Sequence, residues 1–325
     1  MTPTPPAERR PIILDVDAGI DDLVALLIAA TAPELNLRGV MCVAGNVELR
    51  HVTRNTAKAL AMLGRTDVPV SIGAAGPLSR RLRTAEETHG PTGTGYASLR
   101  GEDPKLGATE FTALPASRYL AAHVNRHPGE LSVLALGPLT NLALAARERV
   151  DLANGLRETI WMGGTLADPG NTTATGEWNA CVDPEAAEAC LLGGVIDRIF
   201  PLDATQDLTV SLADLDGLPD SPLAGVVRDA IRFYVEFHEA TEGLDGAYLH
   251  DPLALIGGLL RPDLVRWSDP MRLACDTGPD PATAGTIRPV DDARPPLRVA
   301  LALDPAPMKA ELLDRLARAV AGSAP

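Results

Sequence analysis

The sequence predicts an α/β protein of one domain, built on a mostly parallel, open sheet with helices on both faces. Three observations carry this. Apolar runs of strand length, such as residues 11–16 and 131–136, are continuous rather than alternating, the pattern of strands buried on both faces. These runs alternate with Ala/Leu-rich helical stretches. Polar residues gather just after the strands, where open α/β sheets bind their ligands. No long linker or internal repeat divides the 325 residues. A single catalytic-size domain is expected over residues 11–325, after a loose Pro-rich tail at 1–10.

The first strand, residues 11–16, stops at the polar turn 17–22, and a helix follows over 23–30. A second strand at 37–43 ends in Ala44-Gly45-Asn46, followed by a helix over 52–63 and a short strand at 68–72. Residues 74–112 are rich in Gly, Thr and Arg and read as loop, and no element is read between 112 and 131. The strand at 131–136 turns through Gly137-Pro138 into a helix reaching about residue 150. A strand at 158–162 ends at Gly163-Gly164, and 167–179 reads as loop. Asp183-Pro184-Glu185 starts a helix through 192, and a strand follows at 198–202. A longer helix spans 223–239 and another opens at Asp251-Pro252. Short strand-like pieces occupy 271–303, and the last helix runs over 308–319.

With 46% hydrophobic and 22% charged residues, the chain is ordinary globular material and not a disordered polymer. A net charge of -14 argues against phosphate-backbone contacts, so no nucleic-acid partner is expected. No apolar run approaches the ~20 residues of a membrane span, and the start carries no secretory h-region. Cys42, Cys181, Cys190 and Cys275 are scattered without a CxxC pair, which fits a reducing cytoplasm and no zinc site.

Asp15, Asp17, Asp21 and Asp22 fall within eight residues where the first strand meets the first helix. Clustered carboxylates repel, and burial of each is costly without a partner. A helix N-terminus offsets only ~0.3–1 kcal/mol per group. A hard divalent cation answers the problem better, since Ca²⁺ takes about 6–8 oxygen ligands. Two plainer or different readings stand beside it. Asp21 and Asp22 could simply cap the helix. A D-x-D after the first strand also occurs in Mg²⁺-dependent aspartyl-phosphate phosphohydrolases, but those usually continue with Gly-Thr and need a later lysine; here Ala18-Gly19 follows and lysines are scarce.

The opening Asp15-Val16-Asp17-Ala18-Gly19-Ile20-Asp21-Asp22 resembles that of the inosine–uridine-preferring nucleoside hydrolases, a family of calcium N-ribohydrolases. Four further blocks resemble the same family in order. They are Val43-Ala44-Gly45-Asn46, Gly137-Pro138-Leu139-Thr140-Asn141, the stretch from Met162-Gly163-Gly164 through Asn171 and Glu177-Trp178-Asn179 to Asp183-Pro184-Glu185, and His250-Asp251-Pro252. The likeness covers about residues 12–260. Val16 and Ala18 depart from the Thr and Pro of the family opening, and Trp178 from its Phe. Altered stiffness of the first loop is the expected consequence.

The resemblance implies a nucleoside hydrolase-like fold and one Ca²⁺ held by Asp17, Asp22, the Leu136 carbonyl and Asp251. It implies Asp17 as general base, with Asn46 near the metal and the attacking water. Asp21, Asn171, Glu177 and Asn179 would hold the ribose hydroxyls, with Met162 beside the sugar and Asp15 supporting the loop. His250 is the leading candidate to protonate the departing base, against a bland role as a helix-entry histidine. Tyr234 and His238, four apart on one helical face, and His89 would contact the base. Phe233 and Phe237 read as core, Trp178 as packing, and His51, His123 and His127 as solvated. The implied partners are a small nucleoside and further copies of the chain, as a homo-dimer or homo-tetramer in the cytoplasm. A phosphohydrolase and a non-catalytic nucleoside- or sugar-binding protein are the competing functions. Spacing leaves purine against pyrimidine preference open.

Overall fold

A computed structural model of the chain describes residues 9–101, 103, 111–148 and 150–321. Most of the expected N-terminal tail, part of the 74–112 loop and the last four residues of the expected domain lie outside the described residues. Eight strands form the central sheet: β1 (Arg10–Val16), β2 (Leu35–Cys42), β3 (Val70–Ile72), β4 (Ser132–Ala135), β5 (Glu158–Met162), β6 (Arg198–Phe200), β7 (Val265–Trp267) and β10 (Arg298–Leu303). Between the last two, β8 (Leu273–Cys275) and β9 (Ile287–Pro289) form a separate antiparallel pair.

The strand order is β3-β2-β1-β4-β5-β6-β10-β7. All neighbours run parallel except β7, which caps the β10 edge antiparallel. The chain winds from β1 outward through β2 and β3, then returns to β4 on the other side of β1 and winds outward again. That reversal leaves a crevice at the carboxyl ends of β1 and β4, where such sheets place ligands.

Both faces of the sheet are covered, as the continuous apolar runs require. Ile12, Leu14 and Val16 of β1 face one core, with the helices Ile20–Thr31, Pro222–Glu242, His250–Leu255 and Pro305–Ala321. Ile13 faces the other, with Val133, Ala135 and Trp161 and the helices Ala116–Arg126, Thr140–Ala146 and Pro184–Leu192. The alternation within one strand is the two-residue period of the pleat.

Several boundaries differ from the sequence reading. Arg10, expected in the tail, starts β1 and pairs with Leu35. The helix Ala116–Arg126 was unread because its buried stripe rests on Ala116, Tyr119, Leu120, Ala121 and Val124, whose alanines carry little hydrophobic signal. β7 was also unread; three residues are too few for a visible period. The helix Pro222–Glu242 runs three residues past the expected end and stops at Gly243, whose φ of 71° is left-handed. His51, His123 and His127 are half-buried rather than solvated, and His123 Nδ1 bonds the Tyr119 carbonyl at 3.0 Å.

Ala18, between β1 and its helix, sits at φ 44°, among the described residues the one non-glycine at positive φ. A proline ring fixes φ near about −65° and could not adopt this turn. The alanine therefore permits a conformation that proline forbids. Ala18→Gly should raise the unfolding free energy in urea by about 0.5–1 kcal/mol, because the strain on Cβ is removed. Ala18→Pro should lower it by more than that gain.

Candidate active site

The turn after β1 is shaped by its own backbone donors. Asp22 accepts from Gly19 N at 2.8 Å and from Asp17 N at 3.1 Å, so it closes the turn and caps the helix Ile20–Thr31. Asp17 accepts from Asn46 N at 2.7 Å and from Asn46 Nδ2 at 3.1 Å. This ties the tip of β1 to the loop after β2. Gly45 is required there, since a Cβ would collide with the Asp17 carboxylate. Asp15 bonds Asn141 Nδ2 at 2.7 Å and holds the loop after β4, as a supporting residue.

His250–Leu255 lies against Ile20–Thr31 and brings Asp251 to the same point. One oxygen from each of Asp21, Asp22 and Asp251 lies within 4.8 Å of the others, all three residues being buried. Asp21 Oδ1 has no hydrogen-bond partner. Burial is the main cause that pushes all these carboxyls upward. Asp15 and Asp21 reach about 8, and Asp22 is raised too. Asp17 and Asp251 stand well above the carboxylate range through burial and then mutual repulsion. Hard oxygens, an unpartnered one among them, converging without a compensating cationic side chain, fit a hard divalent cation. The geometry brings Asp21 into this trio. Asp17, expected as a ligand, stands beside it with both oxygens engaged by Asn46. The Leu136 carbonyl accepts from Asn179 Nδ2 at 2.7 Å and keeps a second lone pair.

Above these acids opens a cavity of about 510 Å³ at the crevice of the sheet. Asp21, Asn46, Leu136, Met162, Asn171, Glu177, Asn179 and Asp251 line one end. Glu177 accepts from Gly164 N at 2.7 Å, Asn179 N at 2.9 Å and Ala180 N at 3.2 Å, capping the helix Trp178–Val182. Burial raises its carboxyl to about 7 despite those three donors. Asn179 donates to the Leu136 and Met162 carbonyls, and its Oδ1 is buried without a partner. Asn171 is exposed, with Oδ1 accepting from Trp178 N at 2.9 Å.

The other end is lined by His89, Tyr234, His238 and His250. A backbone donor fixes the tautomer of His89. His89 Nδ1 accepts from Ile20 N at 3.1 Å, so its proton sits on Nε2. His250 Nδ1 bonds Thr205 Oγ1 at 2.8 Å, and the same hydroxyl lies 3.2 Å from the Pro201 carbonyl. Burial pushes both histidines to about 3, with help from His238 and, for His250, from His89. Both rings are neutral at neutral pH.

Phe237 and Trp178, read as core and packing, line the cavity, whereas Phe233 packs against the core. Sequence reasoning did not single out Tyr248, Gln206, Arg83, Glu87 and Glu242, which also line it. The i, i+4 spacing of His238 and Glu242 was the available signal for the last.

An oxygen-lined cation site beneath a cavity at the sheet's switch point defines a metal-site hydrolase of α/β class. The family model for "Inosine-uridine preferring nucleoside hydrolase" matches residues 12–310. Uridine nucleosidase 1 of Arabidopsis thaliana is 35% identical, over 80% of this chain and 76% of that protein. A pyrimidine-specific ribonucleoside hydrolase, RihA, of Enterobacter sp. (strain 638) is 37% identical over 80% and 82%. Among solved structures, a plant nucleoside hydrolase, the PpNRh1 enzyme, superposes with a TM-score of 0.86 at 30% identity, covering 95% of this chain and 99% of that one. The purine-preferring ribonucleoside hydrolase from Gardnerella vaginalis gives 0.88 at 26%, covering 96% and 99%. The chain belongs to the inosine–uridine-preferring nucleoside hydrolase family.

Two outcomes follow from the electrostatics. In chelated protein, added Ca²⁺ should raise the melting temperature, by the equivalent of about 2.7 kcal/mol at a hundredfold excess over Kd. Asp251→Asn should abolish that rise, because a neutral amide replaces a ligand oxygen. Glu177 has a folded-state pKa of about 7, above its ordinary 4.5. The stability linked to it is therefore present below pH 4.5 and lost as pH climbs through 7. Glu177→Gln should make the fall in urea-unfolding free energy over that interval shallower.

Proposed function

We propose that the chain hydrolyses the N-glycosidic bond of ribonucleosides with Ca²⁺ bound, giving ribose and a free nucleobase. The observation that carries this is the meeting of Asp21 and Asp22 from the β1 turn, with Asp17 beside them, and Asp251 from a distant helix, under a cavity of nucleoside size. The cation would be held by Asp17, Asp22, Asp251 and the Leu136 carbonyl, with Asp21 in reach. When bound, it would anchor sugar hydroxyls and make a neighbouring water more acidic.

Asp17 takes a proton from the attacking water, whose oxygen bonds C1′ as the C1′–N bond breaks and its electron pair departs with the base. Asn46 fixes Asp17 through two hydrogen bonds and so orients the acceptor. Asp21, Asn171, Glu177 and Asn179 hold the ribose, and Met162 packs against it. Positive charge develops at C1′ and the ring oxygen, and the surrounding carboxylates stabilise it. The base lies against His89, Tyr234 and His238. His250 is the proposed proton donor to the departing base.

The competing phosphohydrolase reading needs a lysine at the site, and none is among the described residues lining the cavity. Names of the sequence relatives favour pyrimidine ribonucleosides as first substrates to assay. No helix among the described residues is long and apolar enough to cross a membrane. A cytoplasmic homo-dimer or homo-tetramer remains part of this reading on family likeness.

Incubation with uridine, cytidine, inosine and adenosine should release free ribose, and a chelator should stop it. Asp17→Ala should keep the fold and lose turnover by several orders of magnitude, on the order of 10³-fold or more. Ribose release at the parental rate by Asp17→Ala would remove the base assignment.

A further inference from the structure

The last turns of the helix Pro222–Glu242 line the cavity, and beside His238, proposed above to meet the base, they carry a carboxylate the mechanism leaves without a role. His238 and Glu242 are four residues apart and share a face. His238 is 4% exposed and is walled by the rings of Tyr234, Phe237 and Tyr248, with centroids at 4.6, 5.5 and 5.4 Å. Its Nδ1–H is committed to the Tyr234 carbonyl at 2.8 Å. The proton of the neutral ring is thereby spent, and Nε2 bears a lone pair with no hydrogen-bond partner among the described residues. Burial holds His238 below the ordinary histidine range, which favours this neutral form.

Glu242 Oε1 stands 4.0 Å from His238 Nε2, beyond hydrogen-bond reach. Among the described residues no side chain donates to this carboxylate. The neighbouring Thr241 hydroxyl donates instead to the Phe237 carbonyl at 2.8 Å. An ionised carboxylate only accepts hydrogen bonds. With His238 neutral, the cavity wall therefore presents two acceptors 4.0 Å apart, a buried imidazole nitrogen and an exposed carboxylate.

A primary amino group answers this arrangement, since it has two N–H bonds and can give one to each acceptor. An oxo group would turn its own lone pairs toward both. We propose that His238 and Glu242 form a subsite that selects nucleosides whose base carries an exocyclic amino group over their oxo counterparts. Cytidine is then favoured over uridine, and adenosine over inosine. The inference rests on the nucleoside hydrolase reading and names the substrate class within it.

The test is kcat/KM of the Ca²⁺-loaded enzyme for the two matched pairs, in the parent and in Glu242→Gln. The parent should favour each amino-bearing base by about tenfold or more, the scale of a hydrogen bond to a charged acceptor. Glu242→Gln adds an N–H donor and should bring both ratios within about threefold of unity. A merely structural role for Glu242 would lower both members of a pair together and leave the ratio intact, which overturns the proposal. So would a parental preference for the oxo member of both pairs. Should none of the four nucleosides be cleaved, the hydrolase reading fails. The subsite is then judged by equilibrium binding of cytidine against uridine to the same Ca²⁺-loaded protein, with the same tenfold margin deciding.

Discussion

The structure depends on the concentration of buried carboxylates at the end of β1. Asp15, Asp17, Asp21 and Asp22, joined by Asp251, are each less than 5% exposed. Their charges repel in a medium that hydrates them poorly, so each holds its proton more tightly than a free carboxylate. Backbone and amide donors offset part of this, through Gly19 and Asp17 to Asp22, Asn46 to Asp17, and Asn141 to Asp15. They compensate the trio of Asp21, Asp22 and Asp251 only in part, and Asp21 Oδ1 keeps no partner. A fold that keeps such a cluster is one in which a cation completes the balance.

The sheet topology explains why these residues can meet. β1 lies between β2 and β4, and the connections leave in opposite directions from it. The loops after β1, β2, β4 and β5 therefore open at one end of the sheet. They supply Asp17, Asn46, Leu136 and Met162 without any loop having to travel far. Asp251 arrives from the other side of the chain because its helix packs on Ile20–Thr31. The wall formed by Tyr234, Phe237 and His238 comes from the helix Pro222–Glu242, which covers the same face. Acids that hold charge and aromatics that hold an apolar plane thus line one cavity.

Much of this was legible in the sequence. Parallel strands buried on both faces leave continuous apolar runs, and the turns after them are polar, so the sheet and the site end of it could be read from residues 11–22 and 131–141. The five motif blocks supplied residues that the fold gathers along the cavity. What was not legible depends on where side chains aim. Spacing along the turn treats Asp17 and Asp21 alike as acids near a cation, whereas the fold engages both oxygens of Asp17 with Asn46 and leaves Asp21 Oδ1 without a partner. Phe237 packs against the core as its apolar neighbours suggest, and it also lines the cavity. Glu242 lay beyond the expected helix end, since the Gly243 stop is weaker in sequence than its left-handed geometry makes it in the fold. Ala116–Arg126 was hidden by alanines that pack well and signal poorly.

The central claim is that a cation replaces protons among these acids. Calorimetric titration of the chelated protein with Ca²⁺ at pH 7, repeated in buffers of different ionisation enthalpy, measures that exchange directly. The account predicts that binding expels protons into the buffer, by one or more per ion. Saturable binding with no proton released, or no binding at all, would contradict it.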